Sequence, residues 1–180
     1  MPNEARLEPV DDHGLIPAED GWYVLNAKEA PWFDRGARGA VCELEGKAQF
    51  EQIGVSIFVL GPGHPMSMYH WEADQEDFLV LTGEALLIVE GEERPLRQWD
   101  FVHCPPNVSH TSVGAGDGPS VILAVGAREH QEGEGWGAYP VDEAAVRHNA
   151  SAERETSDPH EAYARFPHRQ PTRYRDGWLP

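Results

Sequence analysis

Two cysteines, Cys42 and Cys104, stand in 180 residues. That is too few for a disulfide-dense scaffold, and both are expected as reduced thiols. No apolar run approaches the roughly 18 residues of a membrane helix. The opening Met-Pro-Asn-Glu-Ala-Arg-Leu-Glu-Pro holds no apolar segment for export. A cytoplasmic location is the expectation. Positive charge is scarce too: 14 basic against 31 acidic side chains leave a formal charge of −17. Such a surface repels phosphate backbones and anionic lipid, so neither a nucleic-acid nor a membrane partner is expected. Helical periodicity is missing between residues 50 and 128.

Short strands fill that space instead. Val55–Leu60 is strand-like, and further strands are expected near 67–72, 78–82, 85–90, 93–97, 100–104, 109–113 and 120–126. Gly, Pro, Asp or Asn turns separate them, with a hairpin tip at Glu90-Gly-Glu-Glu93. Many short antiparallel strands at this spacing predict an all-β sandwich or small barrel. The chain divides into an N-terminal arm with extra strands (1–52), a barrel core (53–127) and a C-terminal extension (128–180). In the first part, residues 1–20 read as a mobile or surface-laid arm. Trp22–Leu25 reads as the first strand, Trp32-Phe33 as an exposed aromatic pair, and Ala40–Leu44 as a strand. In the last, a loop is expected at 133–137 and a short helix at 141–147. Asp158 should cap a second helix with Pro159 at its first position and Glu161 at its third. Tyr174 and Trp178 should pin the tail to the barrel or to a second subunit.

Four side chains carry the chemistry. In Tyr69-His-Trp-Glu-Ala-Asp-Gln-Glu76, His70, Glu72 and Glu76 share the parity of one strand face. His110 follows the turn-rich Cys104-Pro-Pro-Asn-Val-Ser109. Two imidazoles and two carboxylates converging inside a barrel would make a mixed nitrogen and oxygen site for a divalent first-row metal. Phe78, Val80, Leu86 and Ile88, with Phe58, Phe101 and Val125, are candidates for the pocket wall. Met66, Met68 and Tyr69 are placed at its entrance.

The chain resembles the cupins, small double-stranded β-helix (jelly-roll) barrels. Their first motif runs glycine, His-x-His, glutamate, glycine; here Gly63, His70-Trp-Glu72, Glu76 and Gly83 take those places. Their second motif is matched by Trp99, Pro105-Pro-Asn107, His110 and Gly114. The resemblance covers roughly residues 53–127 and implies His70, Glu72, Glu76 and His110 as ligands of Mn, Fe or Zn. Four departures stand out: Glu72 for the second histidine, Trp99 and Asn107 for glycines, and Gly114 for the terminal asparagine. Two carboxylates would neutralise a divalent ion and soften its Lewis acidity. Asn107 can supply the left-handed backbone of the glycine it replaces.

The resemblance implies a metal-dependent cupin acting on a small oxygen-bearing molecule, as a dioxygenase, isomerase or decarboxylase. A non-catalytic binding barrel with a structural or docking metal is the alternative, and a storage role is disfavoured by the single barrel. A phosphosugar substrate is poorly supported, because the barrel's cations are chiefly Arg94 and Arg97. His64 and Tyr69 are the only candidates for a free base. A homodimer is expected from the spare aromatic segments at 22–25 and in the tail.

Overall fold

The computed structural model describes residues 3–130 and 135–180. A hairpin of β1 (Leu7–Pro9) and β2 (Leu15–Pro17) precedes β3 (Trp32–Asp34), a 3₁₀ turn at Gly36–Arg38 and β4 (Ala40–Glu43). The barrel strands are β5 (Ile53–Leu60), β6 (Trp71–Glu72), β7 (Glu76–Thr82), β8 (Glu84–Val89), β9 (Glu92–Arg97), β10 (Phe101–Cys104), β11 (His110–Ala115) and β12 (Ser120–Ala127). After them come β13 (Gly137–Ala138), the helices α1 (Glu143–Arg147) and α2 (Pro159–Ala162), and β14 (Gln170–Thr172). The loop expected at 133–137 lies partly outside the described residues. Every strand pairing is antiparallel.

One seven-stranded sheet runs β10-β7-β12-β5-β4-β3-β14. Opposite it lies β11-β8-β9, extended by the bridges Pro65↔Val113 and His70↔His110 toward the β6–β13 pair. Alternation assigns the faces. In β5, Phe58 and Leu60 point into the barrel while Ile57 and Val59 point out; in β12, Ile122 and Ala124 point in and Val121 and Leu123 out. The inner core joins Leu60, Phe78, Val80, Leu87, Val102 and Ile122 between the sheets. Glu76 shares the parity of Phe78 and Val80, so β7 carries it inward.

The outside is covered by elements flanking the barrel. Trp32, Ala40, Cys42, Val59 and Val121 form a second cluster on the outer face of the large sheet, with Tyr174, Trp178 and Leu179 packed on it. Ile88 and Val113 face outward from the small sheet under Ala144 and Ala145 of α1. Asp142 caps α1 by accepting from Ala145 N, and Asp158 caps α2 by accepting from His160 N. Pro159 sits at the first helical position, as its fixed φ favours. Both thiols are free and buried. Among the described residues no helix is long and apolar enough to cross a membrane.

Three N-terminal expectations are corrected. Part of the arm at 1–20 forms the β1–β2 hairpin, whose three paired positions give it regular structure. Trp22–Leu25 makes no strand beyond one bridge from Trp22 to Glu4, and Val24 is 79% exposed. Trp32 is fully buried, because β14 and the tail close over it.

The departures from the family motifs have local explanations. Asn107 and Trp99 both hold left-handed backbone, φ 67° and 74°, where the motif has glycine. Asparagine visits this region readily; for a bulky aromatic it is an outlier. At Gly114 a Cβ would stand 2.2 Å from the Gly61 carbonyl oxygen. That close strand approach leaves no room for asparagine.

Candidate metal centre

His70 precedes β6, Glu76 opens β7 and His110 opens β11, so neighbouring strands of both sheets deliver the three groups to one end of the barrel. His70 and His110 face each other through reciprocal backbone bonds, His70 N to His110 O and His110 N to His70 O. Their rings lie 5.1 Å apart. Glu76 Oε2 is 3.2 Å from both His70 Nε2 and His110 Nε2. One ligand atom from each of the three lies within 4.8 Å of the others, a grouping that could hold a metal ion. Glu72 Oε1 approaches His70 Nε2 at 3.4 Å but stands outside that mutual set.

The ring nitrogens are oriented from behind. His70 Nδ1 donates to Met68 O at 2.8 Å and His110 Nδ1 to Val108 O at 2.9 Å. A carbonyl only accepts, so each neutral imidazole keeps its Nε2 lone pair for the cavity. Glu76 Oε2 and His110 Nε2 are buried without a hydrogen-bond partner despite their short separation. They converge without being aligned on one another, as ligands of a shared ion do. The donor set therefore fits a divalent transition ion.

Burial pulls both imidazoliums down, but their neighbours outweigh it. Glu72 and Glu76 bring His70 up to about 10; the Cys104 thiol and Glu76 bring His110 up to about 9 against repulsion from His70. For Glu76, burial raises the carboxyl, and His110 and His70 overcome it to hold it well below the ordinary range.

A cavity of about 520 Å³ opens beside the cluster. Of the expected wall, Phe58 and Phe78 line it, as does Met66. Others fall elsewhere: Val80 is fully buried in the inner core, Ile88 packs beneath α1, and Phe101 is 65% exposed on the outside. Neither candidate base lines the cavity. Tyr69 turns its hydroxyl to accept from Gly91 N, and His64 sits against Gly61.

The sequence reading missed the contributors from outside the barrel: Arg35, Arg128, Trp136, Tyr139 and Tyr163. Tyr139 stacks on His70 with centroids 5.7 Å apart, and Tyr163 meets Tyr139 edge-on at 5.7 Å. Burial raises both phenols, so they remain protonated donors. Aromatic density after residue 135 was the only trace of them in the chain.

Residues 56–126 match the Cupin domain family. The fold is similar to a predicted oxalate decarboxylase from Thermotoga maritima, at 21% identity and TM-score 0.51, over 58% of this chain and 97% of that one. It is also similar to an RmlC-like cupin from Shewanella frigidimarina, at 16% identity and TM-score 0.50, over 59% and 91%. A sugar phosphate isomerase of the cupin superfamily from Silicibacter pomeroyi aligns at 28% identity and TM-score 0.45, over 49% of this chain and 59% of its own length. The chain thus spans about three-fifths of that relative. No curated protein matches. The matched segment, residues 56–126, lies inside an antiparallel two-sheet barrel, and the fold of that segment is a cupin barrel.

Proposed function

We propose that His70, Glu72, Glu76 and His110 hold one divalent transition ion, Mn, Fe or Zn, and that the cavity beside it receives a small oxygen-bearing molecule. The observation that carries this reading is the pair of buried, unpartnered atoms, Glu76 Oε2 and His110 Nε2, aimed with His70 Nε2 at common space. Such an ion, when bound, supplies a Lewis-acid contact for a ligand oxygen. The chain's own groups orient the ligand and dry the site: Phe58, Phe78 and Trp136 exclude water, while Tyr139 and Tyr163 offer phenolic donors. A dioxygenase, isomerase or decarboxylase reaction is compatible with this arrangement.

One observation favours the non-catalytic alternative. Among the described residues the lining holds no base outside the metal-ligand set that is free to move a proton: the tyrosines are locked as phenols, and Asp74 is engaged with His130 at 2.7 Å. Chemistry in this cavity would have to be organised around the ion and its ligands.

Elemental analysis tests the assignment. Wild type is expected to carry close to one divalent ion per chain, and His110→Ala to lose most of it while keeping the wild-type β-sheet circular dichroism. Undiminished metal in that variant would remove His110 from the ligand set. Glu72→Gln separates the fourth ligand from the other three: a loss of tenfold or more in affinity is expected if Glu72 coordinates.

A further inference from the structure

Arg35 carries a charge that the protein does not answer. It reaches the cavity from outside the barrel, between β3 and the 3₁₀ turn at Gly36–Arg38, and lies beyond the matched domain. Arg35 is 6% exposed and lines the same cavity as His70 and Glu76. Nη1 donates to Met66 O at 2.8 Å and Nη2 to Arg38 O at 2.6 Å, while Nε has no partner. Both acceptors are backbone carbonyls, and among the described residues no ion pair includes Arg35. One face packs on Phe58, 4.7 Å from the ring centroid. Burial and the neighbouring Arg38 bring the guanidinium down to about 9, which leaves it cationic at neutral pH.

The other cavity charges are matched. Arg128 pairs with Glu45 at 2.8 Å and Asp74 with His130 at 2.7 Å. A divalent ion would balance Glu72 and Glu76, a count that rests on the metal reading above. One positive charge is left over. A buried, unpaired charge is costly, and a ligand that supplies the opposite charge removes the cost.

We propose that the cavity takes a small apolar or aromatic carboxylic acid as its monoanion, with the carboxylate set against Arg35. Guanidinium and carboxylate are both planar and suit paired hydrogen bonds. Phe58, Phe78 and Trp136 provide the wall for the rest of the molecule. A phosphate dianion would bring one negative charge more than the cavity leaves open.

Benzoate and its neutral isostere benzamide make the test. By calorimetry, wild type is expected to bind benzoate at least tenfold tighter than benzamide, a comparison that needs no variant. Arg35→Gln should weaken benzoate about tenfold or more and leave benzamide unchanged, and Arg35→Lys should recover part of the difference. A merely structural arginine would move both ligands together. Equal affinities in wild type, or undiminished benzoate binding by folded Arg35→Gln, would overturn the proposal; phenylphosphonate binding tighter than benzoate would overturn the ligand class. Metal content measured on each sample keeps the two readings apart. Arg35-dependent benzoate binding in a protein that takes up no metal sinks the metal reading alone. A metal-loaded protein indifferent to Arg35→Gln sinks this one alone.

Discussion

At His70 and His110 the backbone selects how each ring is used. Each Nδ1 is tied to the carbonyl two residues before it, so Nε2 is the atom presented to Glu76. Without a metal, two imidazoliums there balance two carboxylates. A divalent ion carries the same charge as the two protons it would displace, so it can enter with no change in net charge. Metal uptake near pH 7 is therefore expected to release about two protons per ion, read by calorimetry in buffers of different ionisation enthalpy. Release near zero would mean the rings are already neutral. The same values set the stability of the metal-free protein. Both imidazoles titrate above the ordinary value of about 6.5. Their contribution is thus complete below that pH and is lost as pH rises through about 9 to about 10.

The three convergent groups were legible because strand parity and motif spacing fix where they point. Arg35 was not legible. In sequence it is one basic residue in an Asp-Arg-Gly turn, and only a tertiary approach, with hydrogen bonds to Met66 and Arg38, brings it to the cavity.

Among the elements, β14 and the tail behind it do the most for the outer face. β14 pairs with β3 from Gln170↔Asp34 to Thr172↔Trp32. Trp178 then packs on Trp32 with centroids 4.9 Å apart, and Tyr174 at 6.0 Å. The two tail arginines find acidic partners, Arg173 at Asp12 and Arg175 at Asp34. Exposed pairs of this kind add little, so apolar cover carries the contact. Deleting residues 171–180 is expected to cost about 2 kcal/mol, from uncovering Trp32 and losing two half-buried aromatics. That is about 4–8 °C in melting temperature, with metal content unchanged. A melting temperature equal to wild type would mean the tail only lies on the surface. The tail's role was readable from its aromatics, and the helix starts from Asp158-Pro159. The burial of Trp32 was not, because its cover comes from so far along the chain. Trp22–Leu25 failed as a strand because β-prone residues still need a neighbouring strand to pair with.

For the whole molecule, the expected homodimer keeps only one of the two surfaces that suggested it, the exposed Trp22 and Val24. The tail aromatics are used within the chain. Also open is one edge of the large sheet, where β10 is the outermost strand and Trp99 and Phe101 are 67% and 65% exposed. An unpaired edge flanked by large aromatics invites a second copy. Light scattering is expected to give about twice the 20.0 kDa chain mass, and Phe101→Lys to return it toward the monomer. A wild type that stays at 20.0 kDa across a wide concentration range removes the dimer. With −17 on each copy, association should strengthen as salt screens the repulsion.

The pairing of β3 with β14 also sets an order of events during synthesis. The β8–β9 hairpin joins residues close in the chain and can form as soon as it emerges. Trp32, by contrast, is made 146 residues before Trp178. On the ribosome the barrel strands can close while Trp32 still faces solvent, and the nascent chain carries an uncovered aromatic patch until its last-made cover arrives. The outer sheet is then completed after the barrel it covers, and the interval between the two is when a nascent chain is most open to capture by a chaperone.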